Sequence, residues 1–120
     1  MPIPYRRDLG SFLQEFADGH RGVRLGKMFG LPAIYVGRRL CACLMEGGVI
    51  VRLPEDVARR ELQKDARPYS RRGHAMGTWV MYEPRHAAAA RRLTPIIEIA
   101  ARHVARRVAE DLTGMRIRRK

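Results

Sequence analysis

Lys27-Met28-Phe29-Gly30, followed directly by Leu31-Pro32-Ala33-Ile34-Tyr35-Val36-Gly37, reads as a short strand, a tight turn and a second strand leading into a sheet. Gly30-Leu31-Pro32 ends the first strand, because proline removes a ladder donor and biases its predecessor toward an extended form. Working outward, residues 33–36, 40–45 and 49–53 read as three strands. They are separated by Gly37-Arg38-Arg39 and Glu46-Gly47-Gly48. Glycine-containing separators of this length mark antiparallel hairpins, so a β-meander is the economical topology.

Upstream, residues 6–17 carry Leu9, Phe12, Leu13 and Phe16 on one helical face, and Gly19 with Gly22 supplies the stop. Downstream, Pro54 opens a helix at its first turn. Glu55 and Asp56 complement the positive end of its dipole, and Val57, Ala58 and Leu62 form its apolar face. Residues 65–75 read as a loop punctuated by Pro68 and Gly73. Thr78-Trp79-Val80-Met81-Tyr82 is β-branched and aromatic, hence a further strand. A helix runs from Glu83-Pro84 to Leu93. Thr94-Pro95 caps and restarts the last helix, with Ile97, Ala100, Ala101, Val104 and Val108 on one stripe. Residues 113–120 show no partner pattern and are expected to fray. The expectation is one α+β domain over residues 1–112, followed by a basic tail. It comprises an antiparallel meander sheet with an N-terminal helix, a middle helix and two C-terminal helices packed on it.

A chain of 120 residues with 46% hydrophobic content can bury one core. It has no apolar run of spanning length. The start, Met1-Pro2-Ile3-Pro4-Tyr5-Arg6-Arg7-Asp8, lacks the apolar region of a signal peptide, so a cytoplasmic location is expected. The net charge of +12 favours solubility and encounters with polyanions. Lys27, Lys64 and Lys120 are the only lysines, so the charge is mostly arginine, alongside abundant alanine. GC-rich codon usage yields that pattern without selection for binding. Candidate phosphate contacts are Arg102 and Arg106 on the last helix and Arg116, Arg118, Arg119 and Lys120 in the tail. Glu98, Glu110 and Asp111 interrupt this patch. With no helix-turn-helix or RNA-recognition signature, only weak, sequence-independent nucleic-acid binding is expected.

Cys41 and Cys43 are the only cysteines. On a strand their parallel side chains disfavour a mutual disulfide, and they read as small buried hydrophobes. His20, His74, His86 and His103 are scattered, so neither a metal site nor a cofactor is expected. The best site candidate is the segment Gly73-His74-Ala75-Met76-Gly77, where Arg71, Arg72 and His74 could converge with Tyr69 and Trp79. Ser70 and Thr78 supply no matched nucleophile, so no catalytic residue is assigned. The glycines follow neither the P-loop nor the dinucleotide-binding spacing. Among aromatics able to stack on bases, Phe12, Phe16 and Phe29 are read as core, and Tyr69 and Trp79 stay open.

Met28-Phe29-Gly30, Tyr35-Val36-Gly37, the strand from Gly47-Gly48 to Leu53, Arg67-Pro68-Tyr69 and Gly73-His74-Ala75-Met76 share a common order with one family. Over most of its length the chain resembles the TfoX N-terminal domain family, named for a bacterial competence regulator. The regulator's second domain has no room in 120 residues. The resemblance implies a stand-alone α+β domain with a non-catalytic, regulatory role exerted through protein contacts. A basic nucleic-acid-binding accessory protein is the alternative, and an enzyme using His74 ranks third. Ile99, off the main apolar stripe, points to a second covered surface and a homodimer.

Overall fold

Phe29 and Gly30 both adopt positive φ (53° and 80°). This is the requirement of the two-residue turn whose twist matches that of paired strands. The turn joins β1 (Arg24–Met28) to β2 (Leu31–Val36), with Met28 opposite Leu31. Phe29 is 59% exposed at this tip, so it is not the core residue expected from its apolar character. Pro32 lies within β2, opposite Lys27, rather than before it. It precedes the first β2–β3 pair, Ala33 with Cys43, so its missing N–H costs that ladder nothing.

The computed structural model describes residues 5–45, 47–71 and 74–118. Helix α1 (Arg7–Asp18) precedes the meander, which continues with β3 (Arg39–Met45) and β4 (Gly48–Arg52). Then follow α2 (Glu55–Glu61), β5 (Arg67–Arg71), β6 (His74–Tyr82), α3 (Ala87–Arg91) and α4 (Thr94–Arg118). The architecture is α+β, with one six-stranded antiparallel sheet in the order β1-β2-β3-β4-β6-β5. The first four strands form the expected meander. Beyond α2 the order reverses, because β6 rather than β5 pairs with β4 and leaves β5 at the edge.

One expectation fails here. Residues 65–75 are not a loop, since Arg67–Arg71 and the start of β6 at His74 form a hairpin. Proline is compatible with an edge strand, one side of which makes no ladder, so Pro68 does not break it. The α4 backbone stays helical to Arg118, while Arg119 and Lys120 lie outside the described residues.

Ladder pairs place Ile34, Ala42, Leu44, Val49, Val51, Val80 and Tyr82 on one sheet face. The helices gather there. Gly10 of α1 sits against the Pro32 and Leu44 side chains, and Glu61 at the end of α2 accepts a 2.8 Å hydrogen bond from the Tyr82 hydroxyl. Val36 shares a cavity wall with Ala101 and Ala105 of α4. The apolar stripes of α1 (Leu9, Phe12, Leu13, Phe16) and α4 (Ile97, Ala100, Val104) are fully buried against this face. Ile99 packs against the same core, which removes the reason for reading it as a second covered surface. Helix α3 is capped at His86, whose Nδ1 accepts from the Ala89 N–H at 3.1 Å.

Candidate functional site

The second sheet face carries Ala33, Cys43, Ile50 and Met81, all buried although, among the described residues, the helices sit on the other side. The β5–β6 register shifts between Pro68 and Ser70, and Gly77 takes φ 64° beside that irregularity. A bulge of this kind bends a strand pair and increases its twist. The Tyr69 hydroxyl thereby reaches the Met45 sulfur of β3, 3.9 Å away.

Half-buried Tyr35, Met45, Tyr69 and Trp79 share this face with the small Ala33 and Cys43. Tyr35 lies across Gly26, where a Cβ would come within 3.0 Å of the ring, and its hydroxyl donates to the Lys27 carbonyl at 2.9 Å. The Arg24 guanidinium stacks over the Tyr35 ring at 4.7 Å. Arg67 places Nη2 3.9 Å from the Met81 sulfur and pairs with Glu83 at 2.7 Å. The result is an apolar, aromatic and thioether surface with a cationic rim.

A second cluster lies where α4 crosses the end of β4. Arg52, the last residue of β4, and Arg107 of α4 each bury their Nε without a hydrogen-bond partner. Burial, then Arg107 and Arg39, holds the Arg52 guanidinium below its usual pKa. Burial, then Arg52, Arg107 and Arg106, depresses the pKa of His103, with Glu110 acting in the opposite sense. Arg39 is engaged elsewhere, by a two-bond pair with Asp111 at 2.7 and 2.9 Å.

Tyr69 and Trp79 both lie half-buried against the core. The Arg71 and His74 backbones pair at the hairpin end, but Arg72 and the Arg71 and His74 side chains lie outside the described residues. Arg102 and Arg106 are exposed on α4. Arg116 and Arg118 extend its backbone, with their side chains outside the described residues. Sequence reading missed Arg52, His103 and Arg107. The available signal was a lone arginine closing the apolar run Val49-Ile50-Val51, which strand alternation alone leaves unexplained.

Cys41 and Cys43 are free and fully buried, and burial pushes their thiols up to about 12 and about 11. His20 stacks on Phe16, bonds Glu98 Oε2 through Nε2 at 2.9 Å, and contacts the Phe16 carbonyl through Nδ1. Among the described residues no three His, Cys, Asp or Glu side chains gather closely enough to hold a metal ion. No described helix is long and apolar enough to cross a membrane. Compared with protein-family models, curated proteins and solved structures, the chain matches none.

Proposed function

We propose that this chain is a non-catalytic interaction domain that docks an acidic segment of another protein, anchored by apolar side chains, on the helix-free sheet face. The observation that carries this reading is the group of half-buried Tyr35, Met45, Tyr69 and Trp79 on the face of the small Ala33 and Cys43, flanked by Arg24 and Arg67. Aromatic residues, methionine and arginine are the types enriched where proteins meet, and methionine adapts its shape to the partner. A chain of charge +12 draws acidic partners by long-range attraction. The resemblance to the TfoX N-terminal domain family implies the same mode, regulation through protein contacts.

The test is a titration of isotope-labelled protein, followed by amide and methyl shifts, with two peptides of equal negative charge. One carries leucine and tryptophan anchors and the other carries none. Saturable shifts confined to Tyr35, Met45, Tyr69 and Trp79, at least tenfold tighter for the anchored peptide, support the reading. Equal affinities, or shifts confined to α4, overturn it.

The arginines of α4 favour a second reading, a nucleic-acid accessory protein. It requires a log–log decline of duplex affinity with salt at a slope of about −0.9 per phosphate contact. Replacing Arg102, Arg106, Arg116, Arg118 and Arg119 with Gln would flatten that slope by several units.

A further inference from the structure

Two arginines that approach each other inside a fold repel, and each loses hydration. Buried polar groups are almost always satisfied, so an orphan donor calls for a partner such as an ion or water. Arg52 and Arg107 each present one such donor, and among the described residues no carboxylate bonds either of them. Of the acids beside them, Asp111 is held by Arg39 and also feels the charge of Arg107, while Glu110 acts on His103. The Arg52–Arg107–His103 set therefore carries an excess of positive charge, with the Nε donor of each arginine turned away from solvent. Guanidinium groups match the geometry of tetrahedral oxyanions through paired N–H donors, and burial strengthens such charge-assisted bonds.

We infer that Arg52 and Arg107, with His103 beside them, form a binding site for a phosphate group at the end of β4 beneath α4. The site adjoins the docking face at Trp79, while α4 supplies two of its three groups. Arg52 is paired with Trp79 across the β4–β6 ladder, so the chain's single tryptophan lies next to the site and reports its occupancy. A bound oxyanion would also offset the arginine charge that, after burial, holds the His103 pKa down. His103 faces Arg52 of β4 and Arg106, Arg107 and Glu110 of its own helix. Binding should therefore tighten as pH falls.

The experiment follows Trp79 fluorescence and the thermal midpoint of the full chain against sodium sulfate, with sodium chloride at matched ionic strength as reference. Sulfate stands in for phosphate because its charge is constant between pH 5.5 and pH 8. Support is a saturable fluorescence change and a rise in midpoint that chloride does not reproduce, with several-fold tighter binding at pH 5.5. Arg107→Gln should weaken binding at least tenfold while leaving the unliganded midpoint equal or higher, since it removes a repulsion. Arg60→Gln, on exposed α2, should change affinity less than twofold. Competition by a nucleoside diphosphate against a short oligonucleotide of equal phosphate concentration names the source, a terminal phosphate or a phosphodiester backbone. A response shared by chloride, an unchanged affinity in Arg107→Gln, or failure of both competitors overturns the assignment.

Discussion

The Tyr69 hydroxyl lies 3.9 Å from the Met45 sulfur although strands β6 and β4 stand between theirs. In a flat sheet three strand spacings would hold the two backbones roughly 14 Å apart. The contact therefore measures how far the sheet curls. Tyr69→Ala should uncover the Met45 side of this face. A destabilisation of about 1–2 kcal/mol is expected, and Tyr69→Phe should lose much less, because packing rather than the weak hydroxyl–sulfur contact dominates. Urea midpoints of the two variants decide this, and equal losses would count against the packing account.

Tyr82 donates to Glu61 across the junction of β6 and α2, and burial followed by Glu61 raises its pKa far above that of free phenol. Tyr82→Phe leaves a partly buried carboxylate whose ion-pair partner among the described residues is Lys64, 4.0 Å away. The expected cost is about 1.5–3 kcal/mol, the range for hydrogen bonds to charged groups. Denaturant unfolding monitored by far-ultraviolet circular dichroism reads it.

Thiolate, not thiol, is the reactive form of cysteine. With Cys41 and Cys43 raised to about 12 and about 11 by burial, neither should react with a disulfide reagent at pH 8 in the folded chain. Both should react promptly in 6 M guanidinium, as titrated by absorbance. Fast labelling of the native protein would show that the β3 core opens.

His20 has its pKa raised by the Glu98 carboxylate and then by the Phe16 carbonyl, so the folded state favours its charged form. The contribution is complete below the ordinary value of 6.5 and is lost as pH rises through the higher folded value. Because the pair is partly exposed, its worth is about 0.5 kcal/mol after screening. Glu98→Gln should destabilise the protein at pH 5.5 and become nearly neutral at pH 8.5, as followed by thermal midpoints. A penalty that grows with pH would contradict the sign.

Short-range pattern carried much of the fold in legible form. The Leu9–Phe12–Leu13–Phe16 stripe, the glycine separators of the meander and the Ile97–Ala100–Val104 stripe each express a local period, and a local period is set by backbone geometry alone. So is the burial of Cys41 and Cys43, which follows from small apolar residues inside a long strand. Pro68 and the surrounding polar residues masked β5, because whether an edge strand forms depends on a partner supplied by β6. Phe29 was assigned to the core by its chemistry, yet the turn between Met28 and Leu31 placed it outside.

For the candidate surfaces, the sequence by itself determined the ingredients: a +12 chain rich in arginine, with Tyr69 and Trp79 flanking a glycine-bounded segment. Only the tertiary structure decided their arrangement. Curvature closed Tyr69 onto Met45, and the crossing of α4 over β4 set Arg107 beside Arg52. Neither juxtaposition has a local signature. Each arises from long-range packing, in which apolar burial fixes where the backbones go and the charged side chains must accept the neighbours that result.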